Sequence, residues 1–119
     1  LNRLNKLFMT ERKKGNFTQI KITRTEGEWE LILNKICPNR EEEMRFVSRH
    51  IRREVLRIKN QLQEVPESYA GISGKTTTKR PYIDNSIIED IKLIALKLKL
   101  EPQILIDRLI ITPLLQPQP

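Results

Sequence analysis

Between Met44 and Val65 the apolar residues Met44, Val47, Ile51, Val55, Ile58, Leu62 and Val65 recur at spacings of three and four. At 3.6 residues per turn that spacing closes onto one face of a helix; a strand, with period two, would scatter it over both faces. It predicts a long helix over residues 40–64. Asn39 reads as its N-cap, with Glu42 at the third helical position as in a capping box. Glu41, Glu42 and Glu43 suit the positive end of the helix dipole, and Pro66 ends the element. One face must therefore be buried, and the rest of the chain has to supply the cover. The opposite face carries Arg45, Arg49, Arg53 and Arg57, four apart throughout, flanked by Arg52 and Lys59. Glu54 is the only acid between Met44 and Asn60, so this stretch alone holds a net +5.

The covering elements can be read in outline. Leu1, Leu4, Leu7 and Phe8 predict a short helix over residues 1–10, and Thr10 to Asn16 reads as a loop ending in Gly-Asn. Phe17 to Arg24 alternates, with Thr18, Ile20 and Ile22 on one face. After Thr25-Glu26-Gly27, residues 28–33 alternate again through Trp29, Leu31 and Leu33, which predicts a β-hairpin over residues 17–33 with one buried face. Residues 68–81, rich in Ser, Thr, Gly, Lys and Pro, read as a mobile basic loop. Ser86 with Glu89 offers a second capping box, opening a helix through Ile87, Ile88, Ile91, Ile94, Ala95 and Leu98 that should be largely buried. Pro102 fits the first position of a further helix, which Pro113 should end. Residues 85–111 thus form a helical pair and residues 113–119 a tail. Ile and Leu supply 31 of the apolar residues, which suits an aliphatic core. The expected fold is α+β and predominantly α: an N-terminal β-hairpin packed on a long basic helix, then a helical hairpin, in one domain over residues 1–119.

Composition removes several function classes. No apolar run is long enough to span a membrane. The first residues carry charge with no apolar segment behind them, so no signal peptide is expected. The single cysteine, Cys37, has no Cys or His at metal-ligand spacing, so neither an internal disulfide nor a zinc site is expected. A reducing, cytoplasmic location fits. The chain opens on Leu1, with Met9 close behind, which reads as a processed product, a fragment, or the product of a non-standard start.

Charge carries the functional expectation. The formal net charge of +7 lies entirely in residues 1–60, and residues 61–119 are neutral. Like charges four apart on a helix cost about 0.2–0.5 kcal/mol per pair. With no acids foreseen to relieve it, the arginine ladder is not explained by stability. Its chemical complement is a row of phosphates, which guanidinium groups grip bidentately. The plainer reading is a solvated basic face, and an acidic protein partner would also fit. Lys75, Lys79 and Arg80 in the loop could add phosphate contacts on becoming ordered. Gly71 to Thr76 imitates the end of a phosphate-binding P-loop. It lacks the first glycine, where Tyr69 stands, and a helix directly after it.

Phe17, Phe46 and Tyr82 are the aromatics available for base stacking; with aromatics at 5%, backbone contact is the better expectation. His50 lies among arginines without an orienting carboxylate and reads as a surface or contact histidine. Trp29 reads as core. No nucleophile, acid and base fall into a catalytic pattern, so no enzyme, no cofactor and no metal are expected.

Two resemblances add to this. Residues 79–110, from Lys79-Arg80-Pro81-Tyr82-Ile83-Asp84 through Asp107-Arg108-Leu109-Ile110, resemble the ribbon-helix-helix family of DNA-binding proteins. There a strand precedes a capped helix, a turn and a second helix, and the strand pairs with a second subunit to read the major groove. The resemblance implies a homodimer in which Thr76, Thr78 and Arg80, or Thr77 and Lys79, face bases. Pro81 weakens such a strand, and Lys99 stands where that family has an inter-helix glycine. In character the chain is also similar to the small helical subunits of type I CRISPR effector complexes. It is small, basic, mainly helical and without catalytic residues, with an apolar end from Leu109 to Leu115. That similarity implies a non-catalytic subunit lining a nucleic-acid path in a larger ribonucleoprotein. The expected partners are DNA or RNA through backbone contacts, other protein subunits, and in the regulator reading a second copy of the chain. No membrane is expected among them.

Overall fold

The chain's structure, a computed structural model, describes residues 13–61, 65 and 71–116. The helix expected over residues 1–10, the end of the basic helix at 62–64 and the tail beyond 116 lie outside the described residues.

An N-terminal β-hairpin joins β1 (Lys13–Lys14) to β2 (Phe17–Gln19), with Gly15 at φ 60° in its two-residue turn, a conformation that glycine adopts without strain. β3 (Ile22–Thr25) follows. Far along the chain come β4 (Thr76–Lys79) and β5 (Tyr82–Asp84). β2 pairs antiparallel with β5, Thr18 opposite Ile83, and β3 pairs antiparallel with β4, Thr23 opposite Thr78. Both ladders keep the same register, so β2–β3 and β5–β4 form one ribbon of two long strands, with β1 added along β2. The break falls at Pro81, which has no N–H to donate. Its carbonyl still accepts from the Ile20 N–H at 3.0 Å. One face of this ribbon is buried through Thr18, Ile20, Ile22 and Arg24 on one strand and Ile83 on the other.

The second strand expected at residues 28–33 is a helix: α1 spans Glu26–Ile36. The Thr25 side chain accepts from the Glu28 N–H at 3.1 Å, and the Glu28 carboxylate accepts from the Thr25 N–H at 3.0 Å. This closed capping box wins over a short alternation that fits either period. The buried set is Glu28, Trp29, Ile32 and Leu33, which is helical spacing, and Leu31 is exposed. Trp29 is core as expected, with its indole N–H on the Thr77 carbonyl at 2.8 Å. Cys37 is buried just past this helix, with its thiol donating to the Glu41 carbonyl.

The long helix, α2, spans Glu43–Asn60, and Val47, Ile51, Val55 and Ile58 are buried along it. The Asn39–Glu42 capping box is absent. The chain between Cys37 and Glu43 bends through left-handed Arg40 and Glu42 instead, so Glu42 becomes the N-cap and makes no side-chain cap. The Arg40 guanidinium holds the bend, donating to Glu30, Asn34 and Glu43. The loop expected over residues 68–81 contains a strand: the β-branched run Thr76-Thr77-Thr78 enters β4.

α3 spans Asn85–Leu98 and follows β5 directly. Its N-cap is Asp84, without a side-chain cap, and Ser86 is exposed inside the helix, so the Ser86–Glu89 box does not form. The β2–β5 register sets where this helix starts, and the Asn85 N–H is satisfied by the Asn16 carbonyl. The last helix, α4, runs unbroken as Pro102–Leu105, a π-helical stretch Ile106–Ile111, and Thr112–Leu115. Pro102 takes an N-terminal position as expected. Pro113 does not end the helix. A proline ring clashes with the carbonyl four residues back, and the wider preceding turn relieves that; the Thr112 N–H accordingly reaches back to the Asp107 carbonyl. The architecture is α+β and mostly helical, with the four helices packing one aliphatic core against the buried face of the ribbon.

Candidate nucleic-acid interface

With one side of α2 sealed into the core, its other side carries the expected cations. Arg45, Arg49, Arg52, Arg53, Arg57 and Lys59 are all exposed. They are not one straight ladder. Residues four apart advance by about 40° around a helix, so Arg45, Arg49, Arg53 and Arg57 wind about a third of the way round it. Residues seven apart lag by only about 20°, so Arg45, Arg52 and Lys59 form the straighter row.

Nor is the face unrelieved by acids. Arg45 pairs with Glu42 at 3.2 Å, Arg57 with Glu54 at 2.9 Å, Lys59 with Asp90 at 3.2 Å, and Arg52 with Asp84 at 3.6 Å. Arg49 has no ion-pair partner among the described residues. Glu42 and Glu54 are local partners three residues away, whereas folding brings up Asp84 from β5 and Asp90 from α3, which sequence spacing could not place beside α2. The Arg45–Glu42 pair is exposed on both sides, and such pairs contribute about 0–1 kcal/mol, so an incoming phosphate can displace it at little cost; Asp84, Glu54 and Asp90 are partly buried.

The loop cations separate. Lys79, on β4, bonds Glu43 at 3.1 Å and lies 5.6 Å from the centre of the Trp29 ring, which ties the ribbon to α1 and α2. Burial opposes ionisation of Glu43, but hydrogen bonds and charge from Lys79 and Arg40 outweigh it and hold this carboxyl below its ordinary range. Arg80 is exposed, beside α2. Lys75 is exposed at the far end of β4, where its carbonyl accepts from the Glu26 N–H.

Two surface concavities join these residues. The larger, about 620 Å³, lies between the outer face of β2 and β5 and the side of α2. It is lined by Phe17, Tyr82, Met44, Arg45, Ser48 and Arg52, with the Gly15–Asn16 turn and Asp84 at its rim. The second, about 540 Å³, shares Met44 and Arg45 with the first and continues to Thr78, Lys79 and Arg80. Arg49, Arg53, Arg57, Lys59 and Lys75 line neither. The Ser48 hydroxyl donates to the Tyr82 carbonyl at 2.7 Å and clamps α2 to the edge of the ribbon. Phe17 is 44% exposed, whereas Phe46 is half-buried against the core. Both groove aromatics are legible in the sequence as candidate contacts; Met44 and Ser48 are not. No local signal marks those, because β5 meets β2 across more than sixty residues of chain.

His50 is buried, which corrects its reading as a surface residue. Its Nδ1 accepts from Arg53 at 3.3 Å, which leaves the Nε2–H to donate to the Ile110 carbonyl at 3.3 Å. Burial pushes this imidazole below its ordinary value of 6.5; the Ile110 carbonyl and Glu54 pull the other way, and Arg53 and Arg57 add to the depression. Among the described residues no cluster of His, Cys, Asp and Glu could hold a metal, and no helix is long and apolar enough to cross a membrane. The strands that the ribbon-helix-helix resemblance would offer to a second subunit pair within the chain, β4 with β3 and β5 with β2. No protein-family model, curated protein or solved structure matches this chain.

Proposed function

We propose that the chain is a non-catalytic nucleic-acid-binding protein that grips the phosphate backbone with the arginines of α2. The observation that carries this reading is the two-sided build of α2. Its apolar stripe is committed to the core, while six cations stand on the solvent side, leading through Arg45 to Lys79 and Arg80. Guanidinium groups are the residue chemistry for phosphate recognition, and a basic helix face is its footprint. Leu93 and Leu96, 58% and 60% exposed on α3, give an apolar surface for another protein subunit, as expected of a small component of a larger ribonucleoprotein.

Oligonucleotide binding across a salt series tests the reading. On duplex DNA, log affinity should fall against log salt with a slope near 0.9 per phosphate neutralised. Replacing Arg45, Arg49 and Arg52 by Gln should flatten that slope by about two to three units and leave thermal unfolding unchanged. A salt-independent affinity, or an unchanged slope in the variant, would remove the model.

A further inference from the structure

The larger concavity holds more than a phosphate contact needs. Phe17 and Tyr82 sit at alternate, outward positions of the paired strands, because the register sets Phe17 opposite Asp84 and Gln19 opposite Tyr82. Their inward neighbours Thr18 and Ile83 are buried. Phe17 and Tyr82 are therefore diagonal neighbours on one face, with backbone positions roughly 7–8 Å apart. Met44 supplies an adaptable apolar wall. The volume of about 620 Å³ lies within the range of small-molecule sites.

The polar lining selects the occupant. Arg45 and Arg52 flank the aromatic pair, and among the described residues their ion-pair partners are Glu42, which is exposed, and Asp84, which is half-buried. Two aromatic side chains beside two guanidinium groups in one groove complement a planar, uncharged ring carried on an anionic chain. A base inside a duplex cannot offer its face; an unpaired one can.

We propose that this groove takes one unpaired nucleobase of single-stranded DNA or RNA, stacked against Phe17 and Tyr82, with the flanking phosphates on Arg45 and Arg52. The inference rests on the backbone-gripping reading above and narrows it to single strands.

The test is fluorescence anisotropy of the full chain with four oligonucleotides of equal length: oligo-dT, oligo-rU, an abasic DNA strand and a DNA duplex. Stacking predicts that at least one of the first two binds about 5- to 100-fold tighter than the abasic strand and the duplex. The preferred sugar then identifies DNA or RNA. Phe17→Leu should remove that advantage while leaving abasic binding and the thermal midpoint unchanged, and Phe17→Tyr, which keeps the ring, should retain it. Equal affinity for oligo-dT, oligo-rU and the abasic strand, or an unaffected Phe17→Leu variant, overturns the base slot. If all four then bind with steep salt dependence, the backbone reading stands without it. If none binds even at low salt, both fall.

Discussion

At Arg24 and His50, burial decides what an ionisable side chain does. Arg24 continues the inward face of β3 and is buried with its charge, yet it is fully engaged. It bonds Glu28 at 3.2 Å, Asp107, and the Thr112 hydroxyl at 3.4 Å. A buried charge is tolerable only when paired and hydrogen-bonded in this way. This cluster joins the ribbon and α1 to the π-helical turn of α4. His50 shows the opposite solution, burial as the neutral form. Its folded pKa is depressed, so above about pH 6.5 the imidazole is neutral in both states and adds no pH dependence. As pH falls below that value the unfolded chain takes up a proton that the folded chain resists, and stability is lost. His50 is the sole histidine. The urea midpoint should therefore be flat from about pH 8 to 7 and decline below about 6.5, and His50→Gln should flatten the decline. An unchanged profile in the variant would place the titration elsewhere.

Helix ends show where local signals prevail and where they yield. Thr25 and Glu28 form a complete capping box, and that signature was present in Thr25-Glu26-Gly27-Glu28 beneath a misleading alternation. The boxes expected at Asn39 and Ser86 do not form, because a bend through left-handed residues and a strand register set those starts. At the other end of α3, Lys99 takes φ 58°, and the Leu100 N–H reaches back to the Ala95 carbonyl at 2.9 Å. This turn is the one glycine usually makes. Left-handed backbone costs a side-chain-bearing residue about 1–2 kcal/mol. Lys99→Gly relieves that strain, offset in part by the freedom glycine gains when unfolded, so a net stabilisation of about 0.5–1 kcal/mol is expected in urea unfolding. A destabilised variant would show that the lysine side chain is needed at that turn.

At the scale of the molecule the defining event is the pairing of β2 and β3 with β5 and β4. It ties the chain's first strands to a segment some fifty to seventy residues later and packs α2, which lies between them in sequence, against the ribbon. Ser48 on α2 reaches β5, and Lys79 on β4 reaches back to Glu43. The core is shared by all four helices and the ribbon, so neither half can bury its apolar surface alone. A fragment ending at residue 61 keeps the basic helix and loses the ribbon partner, α3 and α4. It should show no cooperative thermal transition, as read by circular dichroism. A fragment that melts cooperatively would show that the first half is an independent unit.

The sequence by itself determined the long amphipathic helix, its basic outer face, the later buried helices and the mainly helical α+β class. Those features rest on periodicity and composition, which act over neighbouring residues. The helix over residues 28–33 had its local signal too, in the Thr25–Glu28 capping box, hidden by an alternation that fits either period. Only the tertiary structure decided that the first strands find their partners at residues 76–84, and that Asp84 and Asp90 stand beside Arg52 and Lys59. It alone placed Phe17 and Tyr82 in one groove with Arg45 and Arg52. Strand pairing is made by backbone hydrogen bonds between distant segments, and no local spacing encodes which distant segment that is.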